Sequence, residues 1–171
     1  GFLRYRIKIS KKLKNTTIHT INSSIGISYF KEWGNFGTAA SYYESEYGIP
    51  PQPDTLGGHP NGVDIELFRR HIESRAEIYP GWSWIHHFQV NHSYKHYKHA
   101  EFESENLVGM RFGVLTHSFS ITTHLPERGV FAHGKVGIWG EFRDYATSGL
   151  SFTPNSKENS FAVFVYNEHK F

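Results

Sequence analysis

The stretch TINSSIGISYFKEWGN, residues 20–35, decides the fold. Ile21, Ile25 and Ile27 stand at alternate positions, and mostly polar or small side chains fill the places between them. A period of two places these two sets on opposite faces of a β-strand. The Gly-containing segment KEWGN, residues 31–35, follows at once and is typical of a tight turn. The stretch therefore predicts a strand with one apolar face, followed by an antiparallel return.

The same alternation recurs along the chain. In GKVGIWGEF, residues 134–142, Val136 and Ile138 oppose Lys135. Segment 63–78 changes phase midway, which indicates either a bulge or a strand that extends beyond its supporting layer. We therefore predict an all-β, antiparallel up-and-down meander of about eight strands. Their expected positions are 2–10, 18–30, 35–45, 63–78, 83–100, 111–124, 130–143 and 158–168.

The connections predict where such a sheet would lie. Short turns at 31–35, 79–82 and 125–129 alternate with longer polar links, so all long links should gather at one end. Long strands with this asymmetry are typical of a transmembrane outer-membrane β-barrel, although a soluble antiparallel sandwich also alternates. The residues expected on the apolar outer belt are Leu3, Tyr5, Ile7, Ile25, Ile27, Ile72, Ile78, Val136 and Ile138. The aromatic residues expected near the membrane interfaces are Trp33, Tyr42, Tyr43, Trp82, Trp84 and Tyr97.

Composition narrows the function classes. The formal charge of +2 argues against a nucleic-acid partner, and the lack of cysteine removes disulfides and thiolate chemistry. The longest apolar run, residues 161–166, is far shorter than the ~18 residues of a membrane helix. Sequence motifs of hydrolases, zinc proteases and nucleotide-binding loops do not occur, so we do not expect an enzyme.

Three segments resemble the barrel of TonB-dependent outer-membrane receptors. They are GNFGTAASYYESEYGIP with VDIELFRRHIESRAEI (34–50 and 63–78), NHSYKHYKHAEFESENLVGMRF (91–112) and the segment 134–168. The resemblance, closest to siderophore and zinc receptors, implies a barrel of about 22 strands around a plug domain. Neither a plug nor a TonB box is recognisable over residues 1–171, so we expect a partial receptor barrel.

The resemblance also implies function, location and partners. Such a receptor imports a scarce nutrient, a metal chelate such as a siderophore, zinc or haem, across the bacterial outer membrane. Its partners would be outer-membrane lipid, the small-molecule or metal-chelate ligand, and the TonB energy-coupling complex through the N-terminal part. No cofactor is required, and bound zinc or iron chelate would be substrate. The alternatives are a soluble β-sandwich binding or adhesion module and a passive porin-like barrel.

The candidate ligand site centres on KHYKHAEFESE, residues 95–105. His99, Glu101 and Glu103 stand at alternate positions and are expected on one face at the long-link end of their strand. The preceding link, 47–62, would bring His59 and Asp54 near them. Imidazole and carboxylate suit zinc or iron. The predicted metal ligands are His59, His99 and Glu101, and the predicted ligand contacts add Tyr97, Glu103 and Tyr145.

Other polar residues have structural interpretations. Solvent and the basic side chains of Arg70, Arg111 and Arg143 are expected to offset the acidic run. The alternative to a ligand site is that this segment is only a solvated polar loop. Adjacent His86 and His87 should point to opposite faces of a strand and so form no self-contained metal site. The row His71, Glu73, Arg75 and Glu77 should form a charged ladder that faces a hydrated lumen.

Overall fold

The protein is described here by a computed structural model, which places residues 13–51, 59–104, 107–149 and 153–170. These residues form seven antiparallel strands in one sheet, in the order of the sequence. No helix in this part of the chain is long and apolar enough to cross a membrane. The strands are β1 Ile18–Lys31, β2 Gly34–Ile49, β3 Val63–Ile78, β4 His87–Ser104, β5 Leu107–Leu125, β6 Phe131–Gly149 and β7 Ser156–His169.

The predicted all-β, up-and-down meander is confirmed. Each strand is hydrogen-bonded to its neighbours in sequence, and the two outermost strands, β1 and β7, each have one partner strand among the described residues. The expected strand at 2–10 lies outside the described residues. Several strands run further than predicted towards the end that holds residues 50–62, because their ladders continue through segments that the sequence suggested to be links.

Cross-strand register assigns each side chain to a face, since directly opposed residues point the same way. Ile25 opposes Ala40, which opposes Ile72, and the ladder continues through Tyr94 to His117. Followed across all six ladders, the predicted belt residues share this face, which we call the belt face; Leu3, Tyr5 and Ile7 lie outside the described residues. Its large apolar members include Ile21, Ile25, Ile27, Tyr29, Phe36, Ile72, Ile78, Phe88, Val90, Phe119, Ile121, Val136, Ile138, Phe161, Val163 and Val165.

The apolar side chains change face partway along the sheet. In β3, Val63, Ile65 and Leu67 point to the opposite face, whereas Ile72 and Ile78 point to the belt face. Both ladders of β3 run without a register shift, so there is no bulge, and the strand extends beyond the belt. Val63 and Ile65 are buried, so the extension is covered on the opposite face.

The expected strict alternation of short and long connections is wrong. At the end that we call the turn end, the connections are 32–33, 79–86 and 126–130. At the other, the loop end, they are 50–62, 105–106 and 150–155. The link predicted at 101–109 is mostly strand, because β4 runs to Ser104 and β5 begins at Leu107. Residues 50–62 remain the longest connection between these strands.

The predicted charged ladder lies on the opposite face, as expected. His71 Nε2 lies 3.1 Å from Ser93 Oγ across the β3–β4 pair, and the Arg75 guanidinium donates to Glu77 at 2.6 Å. Asn35 and Tyr79 also donate to the Glu77 carboxylate, each at 3.1 Å. The carboxylate therefore ties together β2, β3 and the connection that follows β3.

Candidate functional site

Four of the predicted ligand residues gather on the opposite face at the loop end. Tyr97, His99 and Glu101 follow one another at alternate positions of β4, where the strand is regular. His99 opposes Phe112 of β5, and Tyr97 opposes Val114, which in turn opposes Tyr145 of β6. Three adjacent strands thus bring these side chains to one patch.

Hydrogen bonds join the three β4 side chains into a chain. Tyr97 Oη lies 3.3 Å from His99 Nδ1, and His99 Nε2 lies 3.1 Å from Glu101 Oε1. An ionised carboxylate only accepts, so Nε2 carries a proton and donates to Glu101. In a neutral imidazole Nδ1 then accepts from the Tyr97 hydroxyl. Both ring nitrogens of His99 are occupied, and metal binding at Nδ1 would displace the Tyr97 hydroxyl.

Aromatic rings hold these three hydrogen-bonded side chains in place. The His99 ring stacks on Phe112 with centroids 4.7 Å apart and planes 13° apart. Phe112 also contacts Tyr97 and Tyr145, at centroid distances of 5.9 and 6.4 Å. The side chain of His99 is only 11% exposed, whereas that of Glu101 is 34% exposed. The arrangement presents a carboxylate to solvent, backed by an oriented imidazole and a wall of aromatic rings.

His59 and Glu103 form a separate pair. His59 Nδ1 lies 4.0 Å from Glu103 Oε1, and both side chains are substantially exposed. Register shifts on either side of Phe102 leave Glu103 out of the regular β4–β5 ladder. The Gly62 N–H donates to the His59 carbonyl at 3.1 Å, which fixes the end of the loop next to β3.

Asn15 fixes the base of the same loop. Its side-chain amide donates to the carbonyls of Ile49 and Val63, each at 3.1 Å, and so bridges the ends of β2 and β3. The loop on which His59 lies is therefore anchored where it leaves and re-enters the sheet. Asp54, expected near His59, lies outside the described residues.

The acidic run is not offset by the predicted arginines. Arg70 and Arg111 lie on the belt face, over the rings of Phe68 and Phe102 respectively. Arg143 bonds to Glu141 at 2.7 Å and approaches Glu158 at 3.6 Å. The groups that face the carboxylates of Glu101 and Glu103 are the histidines. Glu105 lies outside the described residues.

The predicted metal ligands remain a prediction. His99 and Glu101 are in contact, while His59 contacts Glu103 instead. Among the described residues, no group of three or more His, Asp or Glu side chains has the arrangement of a metal site. A ligand that brings its own metal and its own donor atoms would need fewer protein ligands than a bare ion.

A second feature at the loop end was missed by the sequence analysis. A cleft of about 690 Å³ opens there, and its charged lining residues Glu44, Glu46, Glu66, Lys98, Arg111 and Asp144 belong to the belt face. The signal was present in the sequence, since strands β2 to β7 carry apolar residues on this face near the turn end and charges on it near the loop end. The belt therefore ends before the cleft begins.

Comparison with known proteins leaves the family open. No protein-family model matches the chain, and no curated protein matches it at a significant level.

Proposed function

We propose that this chain is part of the β-barrel of a TonB-dependent receptor in a bacterial outer membrane. The receptor would import a scarce nutrient as a metal chelate, such as a siderophore, zinc or haem, captured at the loop end. In this proposal the belt face contacts lipid, and the opposite face lines a hydrated lumen. The receptor is not an enzyme and needs no cofactor.

The observation that carries the proposal is the exposed apolar belt. Ile25 is 77% exposed and Phe161 is 68% exposed, and large apolar side chains lie on the belt face of every strand. Soluble monomers rarely leave a contiguous apolar patch of more than a few hundred Å² open to water. A lipid environment removes this penalty, because hydrocarbon chains solvate apolar side chains.

On strands β3 to β5 the opposite face behind the belt is polar, as a water-filled interior requires. Asn91 donates to Ser120 at 3.0 Å, and Ser93, Ser118 and Thr122 lie on the same face. Charged pairs such as Arg75–Glu77 lie there too. The two faces thus match lipid and water respectively over the same length of strand.

The height of the belt also fits a membrane. From Leu115 to Leu125 the backbone of β5 rises about 34 Å at ~3.4 Å per residue. A strand tilted by ~40° would then span about 26 Å, close to the ~25 Å apolar band of outer-membrane barrels. Beyond Leu115 the belt face becomes charged, as expected where a strand leaves the hydrocarbon region.

Tryptophans mark the turn-end boundary of the belt. Trp33, Trp82 and Trp84 lie in connections at this end, and each is more than half exposed. Trp82 and Trp84 stack with centroids 5.3 Å apart. Exposed, clustered indole rings suit the lipid headgroup region, where one side of the ring is apolar and the N–H meets water.

The sequence resemblance and the candidate site favour an importing receptor over a passive barrel. The patch of Tyr97, His99, Glu101 and Phe112 lies at the loop end, where a ligand from outside would arrive. Its carboxylate, imidazole and aromatic rings can contact both the metal and the organic part of a chelate. A passive porin would not require such a patch.

The experiment is a folding test of the full chain followed by an uptake test of the parent protein. We expect the chain to be monodisperse and β-rich in detergent or phospholipid vesicles, and to aggregate in plain buffer. A folded, monodisperse chain in plain buffer would identify a soluble binding module instead. In cells, deleting the energy-coupling complex should abolish uptake of the nutrient; uptake that persists would identify a passive pore.

A further inference from the structure

Three histidines meet at the turn end, at the other end of the sheet from the candidate ligand site. Nδ1 of His86 lies 2.7 Å from Nδ1 of His87. The ring of His87 stacks on that of His124, with centroids 3.9 Å apart and planes 19° apart. His87 and His99 lie on the same strand, separated by roughly 40 Å at ~3.4 Å per residue.

The meeting of His86 and His87 corrects the expectation that adjacent residues point apart. His86 precedes the first residue of β4, so it does not obey the alternation of the strand. Its backbone N–H donates to the carbonyl of His124 at 2.8 Å, which fixes its backbone beside β5. Register then places His87 directly opposite His124, and their rings stack.

The two Nδ1 atoms are directed at each other. Without a metal, one nitrogen must carry a proton and donate a hydrogen bond to the other. Two nitrogens at ~2.0–2.1 Å from a tetrahedral metal ion are about 3.3 Å apart. The observed pair therefore has to open by about 0.6 Å, and both rings have to turn so that their lone pairs converge on one ion.

The surroundings allow access and hold the rings. His86 is exposed and His87 is half-buried. The Tyr79 ring contacts both imidazoles, at centroid distances of 6.1 and 5.3 Å. Imidazole nitrogen is a preferred ligand of Cu²⁺, Ni²⁺ and Zn²⁺.

We propose that His86 and His87 chelate one divalent transition-metal ion through their Nδ1 atoms, with water completing its coordination. His124 is a positioning residue, which keeps the His87 ring in place by stacking. The site is distinct from the candidate ligand site, and it stands whether or not the proposed receptor function is correct.

The test uses Cu²⁺ with the full chain, in detergent if the chain requires it. We expect an electron paramagnetic resonance spectrum with hyperfine splitting from two imidazole nitrogens. The variant His86→Gln/His87→Gln should lose that splitting. The matched control is His92→Gln/His117→Gln, which removes two histidines whose rings lie 6.0 Å apart on the belt face and should leave the splitting intact.

A second measurement needs no variant. Zn²⁺ should protect His86 and His87 of the unmodified chain from acylation by diethyl pyrocarbonate, as mapped by mass spectrometry, more than it protects His92 or His117.

The variant His124→Gln should weaken Cu²⁺ binding by about tenfold, as loss of a supporting contact does, without removing the two-nitrogen splitting. Equal protection of all four histidines, or a splitting that survives in His86→Gln/His87→Gln, would overturn the proposal.

Discussion

The ring of Phe119 on β5 occupies the space that a β-carbon at position 140 on β6 would need. The two residues are directly opposed, and an ideal β-carbon at Gly140 would lie 2.5 Å from the Phe119 ring. Phe164 of β7 covers Gly137 in the same way, on the opposite face. Aromatic rings thus cover two glycines of β6 that would otherwise leave gaps in the sheet surface.

Gly140→Ala should therefore destabilise the fold, because the Phe119 ring must move from its place. We expect a loss of about 1–2 kcal/mol in the free energy of unfolding. The control is Gly113→Ala, where the nearest atom to an added β-carbon is a backbone oxygen at 3.4 Å. Urea titration in detergent micelles measures both. An equal loss in the two variants would contradict the proposed role of the ring.

The belt face predicts a difference between two neighbouring residues of β5. Ile121 lies on the belt face, whereas Thr122 lies on the opposite face. If the belt face contacts lipid as proposed, Ile121→Arg should make the free energy of folding into phospholipid vesicles less favourable by about 2–4 kcal/mol, since it would place an arginine near the middle of the hydrocarbon region. Thr122→Arg places the same charge on the opposite face, which lines the lumen in the proposed barrel, and should change this free energy little. The folded fraction can be measured by gel electrophoresis of unheated samples, because folded and unfolded protein migrate differently.

The Glu77 carboxylate should contribute more to stability than a typical exposed acid. It accepts hydrogen bonds from Asn35, Arg75 and Tyr79. Glu77→Ala should lower the free energy of unfolding by about 1–2 kcal/mol, because it leaves these donors without their shared acceptor. Glu73→Ala, on the same face of β3, is the control and should stay within ~0.5 kcal/mol. Thermal unfolding in the same detergent compares them, and similar losses would contradict the expectation.

The loop-end patch predicts a binding defect without a folding defect. In the proposed receptor, His99→Ala/Glu101→Ala should weaken the binding of Zn²⁺ or an iron chelate about tenfold or more, because it removes both possible ligands. Thr123→Ala is the control, since its side chain lies on the belt face near the turn end, away from the patch. Calorimetric titration measures affinity, and circular dichroism checks the fold. Unchanged affinity in the double variant would leave the patch with a structural role.

The end of β7 should loosen in acid. The ammonium of Lys170 donates to Glu127 in the β5–β6 connection, and this hydrogen bond holds the pKa of the Glu127 carboxyl below its ordinary value of 4.5. A lowered pKa means that the stabilisation is present at neutral pH and is lost as the pH falls through the folded-state pKa. Hydrogen exchange at the Lys170 amide, which donates to the Val130 carbonyl at 2.9 Å, should report it. Glu127→Gln should remove this pH dependence.

The local period of the sequence determined which residues share a face. Ile25, Ile72 and Val136 could be assigned together because side chains in any strand alternate, whatever their neighbours are. The same reasoning placed His99 and Glu101 on one face, and their side chains are in contact. The meander also followed from the sequence, since consecutive strands with short connections pair with each other.

Tertiary structure decided what local periodicity cannot encode. Glu103 lies outside the regular ladder that holds Glu101 because the β4–β5 register shifts around Phe102, and register depends on two strands at once. His86 meets His87 because it lies outside the strand and hydrogen-bonds to His124, which is distant in sequence. Alternation fixes the direction of a side chain within one strand, but the position of neighbouring strands determines what that side chain contacts.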